Sequence, residues 1–264
     1  MTLSATFRSL VHGRGEFADV SARLGVWRDC WSPAEVSFPA SILGDKAVSR
    51  WIIQRSAMVD VRTFAELNLA VSAGIDPSLI TVHCSGFDVD EIRRTAGLAV
   101  GRVVVGCEEH IDAITGRLDS RTHNVMLRIG AAALSGSTGP SAGRGFPGDS
   151  PAADLAAQRV ITHRSLTLIG LHAEIGCAES EFVNSSAAIG CLMAELDHIR
   201  RRYGLLLTRL SLGTTRQYAT DADLCHSCAI EITDSIDDAC AVFRFPRPVV
   251  SVCGPRALSG QCAL

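Results

Sequence analysis

Residues 80–105, ITVHCSGFDVDEIRRTAGLAVGRVVV, hold the reading on which the fold turns. Positions 80–84 are largely β-branched, which predicts a short strand. Positions 89–96 repeat apolar residues at helical spacing, and Gly97 supplies a helix stop. Positions 102–105 then predict a second strand. A strand, a crossover helix and a strand make one βα unit whose two strands run parallel.

The same alternation extends in both directions. Upstream, 36–43 predicts a strand, 46–58 a helix and 59–61 a strand. A helix through Phe64, Leu67 and Val71 follows, ended by Gly74. Downstream, 108–114 predicts a helix, 124–129 a strand, 166–175 a strand, 207–212 a strand, 223–242 a helix and 248–252 a strand. Phe182, Ile189, Leu192, Leu196, Ile199 and Tyr203 fall at helical spacing before Gly204. Eight strands separated by helices or helical turns predict the α/β class, as a (β/α)₈ TIM-type barrel forming one domain over 1–264. Such barrels typically take roughly 250 residues. A doubly wound open sheet is the alternative, because periodicity does not distinguish closed from open sheets. The Gly-, Ser-, Ala- and Pro-rich stretch 130–150 reads as a long βα loop at the barrel mouth, either a lid or a solvated insertion.

Composition excludes several classes. With 47% hydrophobic and 20% charged residues in 264, the chain buries a sizeable core and is not globally disordered. A net charge of −3 gives no basic surplus for a nucleic-acid partner. Charges break the apolar runs well short of the ~20 residues a membrane span needs. Residues 1–10 lack a signal-peptide pattern, so the expected location is cytoplasmic. The ten cysteines are scattered, as core fillers are, and the CxxC of Cys225 and Cys228 has no second pair at finger spacing, so no metal site is expected. Lys46 is the only lysine.

A series of motifs carries a resemblance. Val59-Asp60-Val61-Arg62-Thr63-Phe64-Ala65-Glu66-Leu67 looks like V-D-V-A-S-G-G-E-L. His83-Cys84-Ser85-Gly86-Phe87 stands for H-G-N-x-K, and Val125-Met126-Leu127-Arg128-Ile129 contains an L-L-R-V-like strand. Gly170-Leu171-His172-Ala173-Glu174-Ile175-Gly176-Cys177 resembles G-L-H-C-H-I-G-S. Leu210-Ser211-Leu212-Gly213-Thr214-Thr215 stands for L-D-L-G-G-G, and Cys253-Gly254-Pro255-Arg256-Ala257-Leu258 for E-P-G-R-A-L. In order and spacing over some 200 residues these resemble the PLP-dependent diaminopimelate and ornithine decarboxylase family, whose barrel also occurs in alanine racemases. The resemblance implies that barrel, PLP as cofactor and amino-acid substrates.

The departures fall on the chemistry. The family's Schiff-base lysine, counted back from Asp60, corresponds to Ser41, and serine forms no imine. The ring-stacking histidine corresponds to Glu174, the phosphate-facing serine to Cys177, and the pyridinium-pairing glutamate to Cys253. Thr214 and Thr215 replace glycines of the phosphate loop. Gly213 and Arg256 remain as weak cofactor-binding or anion-binding positions. The family also continues into a C-terminal β-domain, which the length of this chain leads one to expect is absent.

By strand alternation His172 and Glu174 share a face, which the resemblance places inside the barrel. They are either a general acid–base pair or a satisfied structural network. Arg128, also expected inside, is the predicted ion-pair partner of Glu174. Asp60 and Glu66 match family positions and also suit hydrogen-bonding and capping roles. Lys46 is either a displaced Schiff-base lysine or a solvent-exposed residue in a first helical turn. Three functional expectations follow: a degenerate barrel acting as a regulatory or binding partner, of a catalytic homologue or of itself; an active PLP-dependent decarboxylase or racemase using Lys46; or a cofactor-free barrel that binds a small anion at Gly213 and Arg256.

Overall fold

A computed structural model describes residues 18–116, 121–130, 145–175, 185–213 and 222–254. The strands are β1 (Glu35–Pro39), β2 (Met58–Val61), β3 (Ile80–His83), β4 (Arg102–Val105), β5 (His123–Gly130), β6 (Phe146–Pro147), β7 (Leu166–Glu174), β8 (Arg209–Gly213) and β9 (Val249–Cys253). The helices are α1 (Ala18–Cys30), α2 (Lys46–Gln54), α3 (Phe64–Ser72), α4 (Val89–Thr95), α5 (Glu108–Thr115), α6 (Pro151–Thr162), α7 (Ser185–Tyr203) and α8 (Ala222–Phe243).

All the strand pairings are parallel. The sheet runs β4-β3-β2-β1-β9-β8-β7-β5, and β4 also pairs with β5, so eight strands close on themselves. This is the (β/α)₈ barrel, and closure removes the open edges of the alternative doubly wound sheet. The two-residue β6 pairs with β5 outside the ring.

Local chemistry sets the helix starts. Asp45 accepts from the Ala47 and Val48 amides at α2, Thr63 from the Glu66 amide at α3, and Asp88 and Glu91 form a reciprocal capping box at α4. Gly74 and Gly204, predicted as stops, have φ of +83° and +67°.

Two boundaries and two helices differ from expectation: the helix expected over 46–58 ends at Gln54, and Met58 opens β2. The first strand ends at Pro39, and 40–44 form a 3₁₀ turn. Proline has no N–H to continue a ladder. Helix α1 and helix α6 have no counterpart in the periodicity. Helix α6 buries Ala153, Ala156, Ala157 and Val160, and alanine contributes little hydrophobic contrast to an amphipathic pattern.

Strand β7 carries the feature that places the site. Val125 pairs with Leu168 and Met126 with Gly170, so Ile169 is an extra residue in the ladder. Leu166 and Leu168 join the hydrophobic cluster before the bulge, and Leu171, Ala173 and Ile175 join it after. The phase slips by one residue, which turns Gly170, His172 and Glu174 to the inner face.

Candidate functional site

Seven strand ends supply the barrel mouth with polar side chains from β1, β2, β3, β5, β7, β8 and β9. Ser37 on β1 donates to Asp60 Oδ2 on β2 at 3.0 Å. His83 Nε2, at the end of β3, lies 3.5 Å from the same oxygen. The imidazoles of His83 and His172 meet edge-on, with centroids 4.8 Å apart at 70°. Arg62, just beyond β2, donates to Glu174 Oε1 at 2.7 Å.

The protonation states follow from the partners. Glu174 offers only acceptors when ionised, so the 3.1 Å contact of His172 Nε2 with Glu174 Oε1 requires Nε2–H as donor. His172 Nδ1 then accepts from the Ser211 hydroxyl at 3.0 Å. Burial lowers the His172 pKa to about 4, with His83 and Arg128 adding to the effect, while Glu174 opposes it; the ring is neutral at neutral pH. Burial pushes the Glu174 carboxyl up, but His172 and the Arg62 guanidinium more than offset this and hold it well below the usual range. Asp60, also raised by burial, is brought down to about 2 by His83, Cys253 and Arg62. The Cys253 thiol is pushed well above its usual value by burial and by Asp60, so it is neutral.

Two glycines permit this packing. A Cβ on Gly213 would collide with the Glu174 carboxylate, and a Cβ on Gly86 with the Arg62 carbonyl oxygen. Gly213 therefore makes room for a carboxylate.

His172 and Glu174 come together inside the mouth, beside Gly213 and near Cys253, and all sit at C-terminal strand ends. The expected Arg128–Glu174 pair is corrected: Arg62 is the partner, and Arg128 Nη1 instead reaches Ser85 Oγ at 3.4 Å. Arg62 follows Asp60 by two residues and so shares its face, a signal present in the sequence. Ser41 lies in the 3₁₀ turn beyond the strand on which it was placed. Since Ser37 faces inward, alternation gives Pro39 as the next inner position of β1. Lys46 is the exposed first residue of α2. Glu66 accepts from the Arg62 amide at 2.7 Å, a local turn-fixing role. Cys177, Thr214, Thr215 and Arg256 lie outside the described residues.

Residues 17–251 match the family described as pyridoxal-dependent decarboxylase, pyridoxal binding domain. The chain belongs to this family. A diaminopimelate decarboxylase of Actinosynnema pretiosum subsp. auranticum is 28% identical over 60% of this chain and 37% of its own length. That of Mycobacterium bovis is 32% identical over 55% of this chain and 34% of its own. The chain thus spans little more than a third of the curated relatives it matches. Among solved structures, a diaminopimelate decarboxylase from M. jannaschi superposes with a TM-score of 0.73 at 15% identity, over 92% of this chain and 60% of that one. The arginine decarboxylase of Paramecium bursaria Chlorella virus gives 0.70 at 14%, over 91% and 62%. At those identities the likeness is one of fold.

PLP is the cofactor the family implies, and the described residues do not fit it as an imine. The inner face of β1 offers Ser37 and Pro39, neither an amine, and the chain's only lysine stands in solvent. The Glu174 carboxylate occupies the mouth, fixed by Arg62 and His172. It presents no aromatic face to a ring.

Among the described residues no helix is long and apolar enough to cross a membrane.

Proposed function

We propose that this chain is a non-catalytic relative of the PLP-dependent amino-acid decarboxylases that acts by binding, as a regulatory partner of a catalytic homologue. The observation that carries the reading is the Arg62–Glu174–His172 network filling the barrel mouth, on a barrel whose first strand brings no amine inward. Covalent PLP catalysis needs an amine nucleophile at the cofactor and an open space for the ring. Here that space holds an ion pair, and a buried ion pair is costly to dismantle because either partner left alone is an uncompensated charge. The carboxylate against Gly213 also argues against a small anion bound at that glycine. Without an amine at the cofactor position, binding is the role left to the barrel. Its expected location is the cytoplasm, with the decarboxylases it resembles.

The test has two arms. The purified protein is mixed with PLP, reduced with borohydride and mapped by mass spectrometry. It is also co-expressed with a diaminopimelate decarboxylase of the family, such as that of Mycobacterium bovis, and examined by affinity capture and size exclusion. The expected result is no stoichiometric pyridoxyl-lysine and a stable complex that changes the partner's activity. A pyridoxyl group on Lys46 that saturates at one equivalent overturns the reading in favour of an active PLP enzyme. A chain that neither binds nor affects the decarboxylase overturns the regulatory role.

A further inference from the structure

His83 is 2% exposed, yet neither of its ring nitrogens has a hydrogen-bond partner in the structure. Its Nε2 stands 3.5 Å from Asp60 Oδ2, an ion-pair contact when the ring is protonated and not an aligned hydrogen bond. Buried polar atoms are nearly always satisfied, so an orphan calls for a partner. In either neutral tautomer one nitrogen keeps a lone pair with no hydrogen-bond donor on it. Around it, one ligand atom from each of His83, His172 and Glu174 lie within 4.8 Å of one another.

We propose that His83, His172 and Glu174 form a binding site for a divalent transition-metal ion of the zinc class. Two imidazoles and one carboxylate are the donors such ions prefer, and three protein ligands leave a fourth position open. His172 Nε2 and Glu174 Oε1, at 3.1 Å, already approach the separation of two ligands on one ion. His83 closes the set by a shift of the ring toward them. For His172 to coordinate through Nε2, its proton moves to Nδ1, and Ser211 Oγ changes from donor to acceptor. The hydroxyl serves either state, so no proton is lost from the ring and no redox change is involved. Arg62 donates to that same Glu174 Oε1, which has lone pairs for both the guanidinium and an ion, the outer-shell support common to metal-bound carboxylates. Asp60 and Glu174 bring two negative charges against the one positive charge of Arg62, and Arg128 lies at the rim, held to Ser85.

The site uses the same His172 and Glu174 that fill the barrel mouth, and it does not depend on the chain's binding to a partner protein. The probe is Co²⁺ alone, titrated into the chelator-treated full chain and read by visible d–d absorption. One equivalent of Co²⁺ is expected to give the intense bands of low coordination, displaced by Zn²⁺. His83→Gln and Glu174→Gln are expected to lose the bands. Ser211→Ala, which keeps all three ligands, is expected to weaken binding by roughly 10–100-fold. His198→Gln, at a surface histidine paired with Asp154, is expected to titrate as the parent. Near-UV circular dichroism identifies any variant that has not folded, and Ser211→Ala then carries the test. A folded parent without bands, bands unchanged in Ser211→Ala or in either ligand variant, or bands lost in His198→Gln would overturn the site. A silent cobalt titration leaves the binding role standing, and a pyridoxyl adduct overturns that role whatever cobalt does.

Discussion

The Glu174 carboxylate occupies the space that a side chain on Gly213 would need. The two residues sit opposite each other at the ends of neighbouring strands, in register across β7 and β8. A position that in the resembling motif opens a glycine-rich phosphate loop is here matched to a carboxylate on the next strand.

Gly213→Ala should therefore destabilise the barrel by about 1–3 kcal/mol, the usual cost of forcing an extra carbon into a packed interior. The cost should shrink in a Glu174→Ala background, where the obstructing carboxylate is gone. Urea denaturation of the four proteins of this double-mutant cycle measures the coupling. Equal costs in both backgrounds would contradict the contact.

Removing Arg62 leaves the Glu174 charge without its guanidinium. Stripping one partner from a buried pair costs about 3–5 kcal/mol, but Arg62 keeps 30% of its side chain in solvent, which screens the pair. Arg62→Met should cost about 2 kcal/mol in chemical denaturation. Arg128→Met, which touches Ser85, should cost less.

The buried histidine makes stability depend on pH. The pKa of His172 falls from 6.5 in the unfolded chain to about 4 in the barrel. Between these values the unfolded state binds more protons, so unfolding free energy rises with pH across the window and falls on acidification. The contribution approaches about 1.4 kcal/mol per pH unit for one proton. Glu174, depressed as well, adds loss of the same sign further into acid. His172→Gln should flatten the stability profile between pH 6.5 and 4 in thermal melts. A profile as steep as the parent's would count against the neutral ring.

The far end of the barrel has its own tie. Glu35 at the start of β1 accepts from Arg102 Nη2 on β4 at 2.9 Å and from Arg209 Nη1 on β8 at 2.8 Å. Burial raises the Glu35 carboxyl, and the two guanidiniums outweigh it and lower the pKa. Glu35→Gln should lower stability by about 1 kcal/mol, since the groups are partly exposed. The loss should be smaller in high salt. Calorimetry at two ionic strengths separates these outcomes.

Much of the fold was legible from period and punctuation. The strand at 102–105 and the stops at Gly74 and Gly204 stand where the sequence put them, because φ > 0 and β-branched runs are local properties. Helix α6 was not legible, because an alanine stripe has little contrast. At the site, His172 and Glu174 were legible as a pair two residues apart on one strand. His83 appeared only within a motif, and Ser211 within another, with no indication that both meet His172.

The sequence by itself determined the alternation of strands and helices, the family and the absence of an amine on the first strand. Those follow from local spacing, residue identity and a single lysine. Only the tertiary structure decided that the sheet closes, since closure rests on the β4–β5 pairing, and only it gave Glu174 to Arg62. A carboxylate takes the nearest base in space, and the bulge at Ile169 sets which bases are near by turning His172 and Glu174 inward. Chain distance carries no such information: the two ends of that ion pair are 112 residues apart.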